Sequence, residues 1–347
     1  ITLSSLVQGY GLSTASYASK SFSANAQDSA PMDVAFKTDG TKMFILGNSN
    51  NRVYQYTLST AFDVSTASYD SIIFSVATQD TAPIGLTFKP DGTKMFVSGS
   101  TNNGVYQYNL STAWDVSTAS VVSGTINVQP QGSASGVVFS IDGTKAYVTS
   151  ISVDAVFQYT LSTAWNLATS SYASKTFSVA SQDNQPRGIF LKADGTKMFI
   201  CGTQNNRVYQ YSLSTPHDIS TSSYDSISFS INSQDGAARG FVFESDGTKM
   251  YSVGDDNNSI FQYSTEDVSA PTAKYHPAIS NNGGQIDSTY WTDINTMTTD
   301  QINGNGTVSY AVSTDNRTIW KTAKNGVGIR SIARNNSGTW QYNSAFV

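Results

Sequence analysis

Side chains that could carry covalent or metal chemistry are scarce in this sequence and scattered. The two histidines, His217 and His276, have no acidic residue beside them at triad or metal-ligand spacing. Asp255-Asp256-Asn257 offers two carboxylates in one turn, well short of a Ca²⁺ ligand set. The single cysteine, Cys201, stands where sister segments carry Leu46, Ser98, Thr149 and Val253, which suits a small buried residue. What recurs instead is polar and suited to recognition. Gln27-Asp28, Gln79-Asp80, Gln182-Asp183 and Gln234-Asp235 alternate with the pairs Asn50-Asn51, Asn102-Asn103, Asn205-Asn206 and Asn257-Asn258. Asp33, Arg187 and Arg239 follow a few residues after a Gln-Asp pair. Such groups can hydrogen-bond a neutral glycan or a polar protein surface without a large desolvation cost, and Arg is favoured among binding anchors. The same Gln-Asp pairs also suit the capping of their own turns. The candidate binding residues are therefore Arg187, Arg239, Asp28, Asp80, Asp183, Asp235, Asn51, Asn103, Asn206 and Asn258; no catalytic, cofactor or metal-binding residue is nominated.

These residues are positioned by a repeat. Asp-Gly-Thr-Lys begins at Asp39, Asp91, Asp142, Asp194 and Asp246, a period of 51 or 52 residues in the range of propeller blades. In the second copy, Gly85–Lys89, Lys94–Ser98, Val105–Leu110 and Val121–Val128 are short β-branched and aromatic runs separated by Gly, Asn, Asp, Ser and Pro. That pattern predicts four antiparallel strands, A to D, per copy. Lys89-Pro90-Asp91-Gly92-Thr93-Lys94 predicts a tight A–B hairpin, and the Asn pairs mark the B–C turns. The Gln-Asp pairs fall in the D–A joints, so both polar motifs lie on one face of the predicted propeller.

The two ends of the repeat region complement each other. The last copy has strands at Gly240–Glu244, Lys249–Val253 and Ile260–Ser264 but no strand D, while Tyr17–Ser23 aligns with the strand D at Tyr172–Ser178 and has no A, B or C before it. Pairing the two removes exposed sheet edges. The expectation is an all-β fold: a five-bladed propeller spanning 10–267, closed by an N-terminal strand. Residues 1–9 read as a linker or outer strand, 268–276 as a linker and 277–347 as a small β module with hairpins at Thr307–Thr322 and Ile329–Asn343. The third copy departs most, with Val128-Gln129-Pro130-Gln131-Gly132 for the Gln-Asp loop and Ile151-Ser152-Val153-Asp154 for the Asn turn. One large residue recurs in the C–D joints, at Tyr10, Phe62, Trp114, Trp165 and His217. It predicts either an exposed aromatic belt for stacking on sugars or a set of wedges between blades.

The order P-x-G-x-x-F-x-x-D-G-T-K-M-F-V-x-G-x-x-N-N-x-V-Y-Q-Y resembles the YVTN and NHL-like propeller repeats. The longer phrase D-G-T-K-M-F…V-Y-Q-Y-x-L-S-T-A-W-D-V-S-T-A-S-Y resembles repeats in predicted virion proteins of marine tailed bacteriophages, and Y-W-T-D-I-N and R-N-N-S-G-T-W-Q-Y-N-S resemble other segments of such proteins. The resemblance implies a particle-associated role in a tail, fibre or capsid surface, with other virion proteins, further copies of the chain or a host-surface glycan as partners. Hydrolytic propellers of related families hold a metal with acidic, His or Asn ligands at the channel mouth. Here Asp33 is matched by Gly85, Gly136, Gly188 and Gly240, so a symmetrical acidic cluster is not expected.

Composition bounds the remaining classes. With 13% charged residues and a net charge of −5, no basic tract points to nucleic acid. No apolar run approaches the ~18 residues of a membrane span, and no charged-then-apolar leader is visible. The chain opens on Ile1 rather than Met and reads as a processed or partial piece of something longer. The sequence thus predicts a non-enzymatic structural and binding component of a virion, without a cofactor. The alternative is a secreted or cell-surface lectin-like propeller.

Overall fold

The computed structural model describes residues 9–266 and, beyond them, strands at 310–312, 318–322, 329–336 and 339–343. The chain divides into two compact units, Ile1–Val268 and Ser269–Val347. The first is a five-bladed β-propeller. Strand β1 (Ser16–Ser23) precedes four complete blades: β2 (Pro31–Phe36), β3 (Lys42–Gly47), β4 (Arg52–Leu58) and β5 (Ala67–Ser75); β6 (Pro83–Phe88), β7 (Lys94–Gly99), β8 (Gly104–Leu110) and β9 (Ala119–Asn127); β10 (Ala134–Phe139), β11 (Lys145–Ser150), β12 (Ala155–Leu161) and β13 (Ser170–Ser178); β14 (Pro186–Leu191), β15 (Lys197–Gly202), β16 (Arg207–Leu213) and β17 (Ser222–Ser230). The fifth blade has β18 (Ala238–Phe243), β19 (Lys249–Gly254) and β20 (Ser259–Ser264) from the end of the repeat region, with β1 as its fourth strand.

Closure follows the complementary ends read from the sequence. Ser16 pairs with Ser264 and Ser23 with Ser259, antiparallel, with a bulge between Tyr17 and Lys20. The N-terminal segment supplies more than a strand. The Tyr10 amide donates to the Gly247 carbonyl at 2.6 Å and the Gly11 amide to the Thr265 carbonyl at 2.9 Å. Leu12 is buried among Phe199, Val208 and Phe241, the place that Val64, Val116, Leu167 and Ile219 fill in the other blades. Residues 10–23 thus provide the loop, the one-turn 3₁₀ helix and the outer strand that the fifth blade lacks.

Each A–B hairpin is built by its Asp-Gly-Thr-Lys. Gly40, Gly92, Gly143, Gly195 and Gly247 all have φ between 70° and 74°, which the hairpin demands and glycine adopts freely. Asp39 Oδ1 accepts from the Thr41 amide and hydroxyl at 3.0 and 2.6 Å, an arrangement repeated at Asp91, Asp142, Asp194 and Asp246. Strand D begins two residues before the expected Val121, because Asp115 caps a 3₁₀ turn by accepting from the Ser117 amide and the chain enters the sheet straight afterwards.

The blades pack face to face through apolar residues of their A and B strands, with Met43, Phe44, Ile45 and Leu46 of β3 fully buried. Five separate buried clusters lie at the blade interfaces. Hydrogen bonds stitch the interfaces too. The glutamine of four of the five V-Y-Q-Y or F-Q-Y phrases accepts from an amide in the next blade: Gln55 from Val116, Gln107 from Leu167, Gln158 from Ile219 and Gln262 from Val64, at 3.0–3.2 Å. At the junction closed by the N-terminal segment the pattern changes. Gln210 donates to Asp225, and the Leu12 amide bonds to the Tyr10 carbonyl instead.

In the second unit, β21 (Tyr310–Val312), β22 (Thr318–Thr322), β23 (Ile329–Asn336) and β24 (Thr339–Asn343) form one antiparallel sheet in chain order. These strands lie within the two expected hairpins and are joined into one meander by β22–β23 pairing. Residues 1–8 of the expected linker or outer strand at 1–9, and the expected linker at 268–276 with His276, lie outside the described residues.

Candidate functional site

The expected contact face, made of D–A and B–C joints, exists, but most of its nominated residues are turned inward. Asp28, Asp80, Asp183 and Asp235 are buried. Asp28 Oδ1 accepts from the Ala30 and Ser49 amides at 2.9 and 3.1 Å, and Oδ2 accepts from the Asn50 amide at 3.0 Å and the Tyr54 hydroxyl at 3.3 Å. Asp80 takes the amides of Ala82, Thr101 and Asn102, and Asp183 those of Gln185, Gln204 and Asn205. Asp235 takes those of Ala237 and Asn257. One carboxylate thus ties its blade's D–A joint to its B–C joint. Gly47, Gly99, Gly202 and Gly254 make room, since a Cβ on any of them would lie 2.0–2.3 Å from the aspartate. Of the two roles the sequence leaves open for the four aspartates, these bonds are those of internal caps, because loop amides left bare beneath a sheet end are costly.

The asparagines are largely occupied as well. The first of each pair donates Nδ2 to the carbonyl of its blade's Gln, as in Asn102 to Gln79 at 2.8 Å and Asn257 to Gln234 at 2.7 Å. The second, at Asn51, Asn103, Asn206 and Asn258, has φ of 49–52° and turns toward the next blade. Asn206 Oδ1 accepts from the Ala238 amide at 3.0 Å. With their amides oriented by their surroundings, Asn51 donates to the Thr81 carbonyl at 3.0 Å and Asn258 to that of Ser29 at 2.7 Å. Asn103 Oδ1 is buried without a partner, facing the divergent third blade. There Ser152 stands in for the missing aspartate by accepting from the Ser133 amide at 2.8 Å. Asn51, Asn206 and Asn258 thus serve as inter-blade ties.

Arg187 and Arg239 are different. Strand A of every blade carries a bulge near its start, where register shifts between Pro31 and Asp33, Pro83 and Gly85, Ala134 and Val137, Pro186 and Gly188, and Ala238 and Gly240. Bulges re-aim a side chain away from the ladder. The re-aimed positions hold Met32, Ile84 and Ser135, all buried, and then two partly exposed arginines on adjacent blades. Arg239 Nη2 lies 2.6 Å from Asp255 Oδ2. Among the described residues Arg187 has no ion pair, and the Nε of both arginines is buried without an acceptor. Burial and the neighbouring Arg239 lower the pKa of the Arg187 guanidinium. Neither arginine forms an ion pair with Asp183 or Asp235, the carboxylates of the adjoining D–A joints.

Deeper along the axis lies Asp33, in place of the glycine of the other blades. Its Oδ1 accepts from its neighbour's amide, Val34, at 2.9 Å, and its Oδ2 from the Leu86 amide in the second blade at 2.8 Å. A Cβ on Gly240 would lie 2.3 Å from Asp33 Oδ1, so one carboxyl spans three blades at the narrow part of the channel. Burial pushes this carboxyl up to about 7, against the pull of the two amides.

Past Asp33 the channel widens toward the opposite face into a funnel of about 280 Å³ lined mainly by apolar strand-A residues, among them Ala35, Val138, Phe190 and Val242. Of the ring residues of the C–D joints, Tyr10, Phe62 and Trp114 border it, and they sit as wedges rather than as an open belt. Trp114 packs 6.0 Å from Phe44 of the first blade and 5.4 Å from Phe88 of its own, and Trp165 repeats this between Phe96 and Phe139. Both indoles are buried, and a Cβ on Gly92 or Gly143 would run into them. Tyr10, Phe62, Trp114, Trp165 and His217 hold φ of 59–68°, fixed by their amides donating to Gly247, Gly40, Gly92, Gly143 and Gly195. Cys201 is fully buried, and burial pushes its thiol pKa up. Among the described residues no three His, Cys, Asp or Glu side chains gather to hold a metal.

Sequence reasoning passed over the inter-blade glutamines and over Gly47 and its counterparts. The signal was available in both cases, since the glutamine stands at a fixed place before the second Tyr in all five copies and the glycine closes strand B in four.

No protein-family model and no curated protein matches the chain. Among solved structures it is similar to a functionally unknown protein from Desulfotomaculum acetoxidans, at 14% identity and TM-score 0.42, covering 91% of this chain and 86% of that one. It is also similar to a Bacteroides uniformis protein provisionally named a 6-phosphogluconolactonase (12%, TM-score 0.39, covering 89% and 82%). A third is the Cps50 (Swd1) β-propeller domain of Myceliophteria thermophila, at 8% identity and TM-score 0.40, covering 72% of this chain and 99% of that one. At such scores the propeller assignment rests on the strand pairing itself.

Proposed function

We propose that the chain is a non-enzymatic structural and binding component of a bacteriophage virion, in which the propeller is a rigid recognition platform. The resemblance of its repeat and of its C-terminal phrases to virion segments supports the particle setting. The observation that carries the binding role is the pair of arginines at one mouth of the channel. On a face whose aspartates and most asparagines serve the loops themselves, Arg187 and Arg239 stand on adjacent blades with hydrogen-bonding capacity left over. Rigidity has a physical basis in the same loops, where one carboxylate holds two joints, and in the strand-C glutamines, which lock blade to blade through the C–D joints. A platform of this kind presents a fixed constellation without the entropy cost of ordering loops on contact.

The lectin-like alternative uses the same mouth and differs in setting. Mass spectrometry of purified particles decides between them: the chain should sediment with particles or fibres, and recovery only as free soluble protein would refute the virion assignment. Arg187→Ala with Arg239→Ala should lower incorporation or host-surface attachment while leaving the melting temperature unchanged.

A further inference from the structure

We infer that Arg187 and Arg239 form an anion site, and that its ligand is the carboxylate of an acidic saccharide such as a uronic acid. The inference rests on the binding role just proposed and replaces the neutral glycan expected from the sequence.

Charge is the first argument. The expected rim was mixed, with four carboxylates beside two guanidinium groups, yet those carboxylates are buried on loop amides. Around the arginines the acidic groups are Asp255, Asp256, Asp33, Asp183 and Asp235. Asp255 is paired with Arg239 at 2.6 Å, and Asp256 is exposed on the same turn. Asp183 and Asp235 cap their own loops, and Asp33 is held by Val34 and Leu86. None of them pairs with Arg187. A partly buried guanidinium beside a second one, sharing a single close carboxylate, is an arrangement that a bound anion relieves.

Geometry is the second argument. The two arginines come from equivalent bulges of β14 and β18, neighbouring innermost strands, and each keeps a buried Nε without an acceptor. Guanidinium forks match the two oxygens of a carboxylate, which accept parallel N–H bonds. Blades one to three carry Met32, Ile84 and Ser135 at this position, so the mouth has one cationic sector rather than a ring.

The surroundings favour a sugar over a peptide. Asn205 and Asn257, on the B–C turns of the same two blades, are exposed, and their Nδ2 groups are held by the Gln182 and Gln234 carbonyls. Their Oδ1 atoms accept no hydrogen bond among the described residues, so they remain available as acceptors for hydroxyl groups.

The test is titration calorimetry on the intact chain with glucuronate, glucose, sulfate alone and an acidic peptide of glutamate residues. Glucuronate should bind at least about tenfold more tightly than glucose, the difference that charge-assisted hydrogen bonds supply. Arg187→Met, which installs the residue type of the first blade, should abolish that preference without shifting the melting temperature. Asp255→Asn should tighten glucuronate binding several-fold by releasing Arg239. Equal binding of glucose and glucuronate, no binding of either, or an unchanged preference in Arg187→Met would overturn the anion site. Tighter binding of the acidic peptide would overturn the saccharide assignment. Particle incorporation of the Arg187→Met protein is measured separately: normal incorporation with lost glucuronate binding would leave the anion site standing and sink its role in the particle.

Discussion

Removing one loop-capping carboxylate should cost far more than its place in a surface turn suggests, and Asp28 is the position to test. It holds three backbone amides at 2.9–3.1 Å and a tyrosine hydroxyl at 3.3 Å. A hydrogen bond to a charged acceptor contributes about 1.5–3 kcal/mol, and a buried donor left bare costs about as much. With water reaching some of the freed amides at the loop edge, Asp28→Ala should destabilise the propeller by about 3–4 kcal/mol. Asp28→Asn keeps one acceptor oxygen and should cost about half of that. At roughly 2–4 °C per kcal/mol for a domain of this size, Asp28→Ala should lower the thermal midpoint by about 10 °C, read by calorimetry. Gly47 gives an independent handle on the same cap. A Cβ there would lie 2.3 Å from the Asp28 carboxyl, and Gly47 has no positive φ, so Gly47→Ala acts through this clash alone. The two changes should therefore be strongly non-additive. Since the Cβ of residue 28 is itself only 2.7 Å from the new methyl group, Asp28→Gly is the cleaner background, in which Gly47→Ala should cost about 1 kcal/mol or less. Additive losses, or a midpoint for Asp28→Ala within about 2 °C of the parent, would refute the capping argument.

Deleting residues 1–24 should expose the outer edge of β20 and the pocket of Leu12, giving an aggregating protein; Leu12→Ala alone should cost about 2–5 kcal/mol by the cavity it leaves. Unchanged melting of the truncated chain would show that the seam is dispensable. Cys201→Ala or Cys201→Val should cost no more than about 1–2 kcal/mol, and native Cys201 should resist thiol reagents; fast labelling would contradict its burial. Asp33, held near 7 when folded, binds a proton that the unfolded chain has already released above about 4. Its contribution to stability is therefore largest below pH 4, falls as pH rises from about 4 to 7, and is flat above. Asp33→Asn should remove that slope in chemical denaturation. Asp39, Asp91, Asp142 and Asp194, held down to about 2, act in the opposite sense and only below about pH 4.

The repeat made the propeller legible because each copy spells its own turns. Asp-Gly fixes a positive φ, and the ends of the array show which strand is missing. The functional face was harder to read, because one residue type serves two ends. An aspartate before a strand looks the same in sequence whether it faces solvent or folds back onto amides. What decides the matter for Asp28 is Gly47, a residue 19 positions away whose missing side chain leaves the space. The arginines were legible as exceptions to the repeat. The lack of an ion pair at Arg187 was not, since Asp255 is distant from Arg187 in sequence and pairs with Arg239.

The seam between β1 and β20 has a mechanical consequence. Because the two strands run antiparallel with Ser16 opposite Ser264, the chain enters the propeller beside the point at which it leaves, and Gly11 and Thr14 bond directly to Thr265 and Glu266. Tension applied between the flanking segments would therefore load these bonds one after another, peeling β1 from the blade like a zip rather than shearing all of its bonds together. Load transmitted through the faces of the blades would meet the full width of the sheets. The ring is thus strong against compression and lateral force and weak to traction on its two tails, so a tethered propeller would open first at the fifth blade.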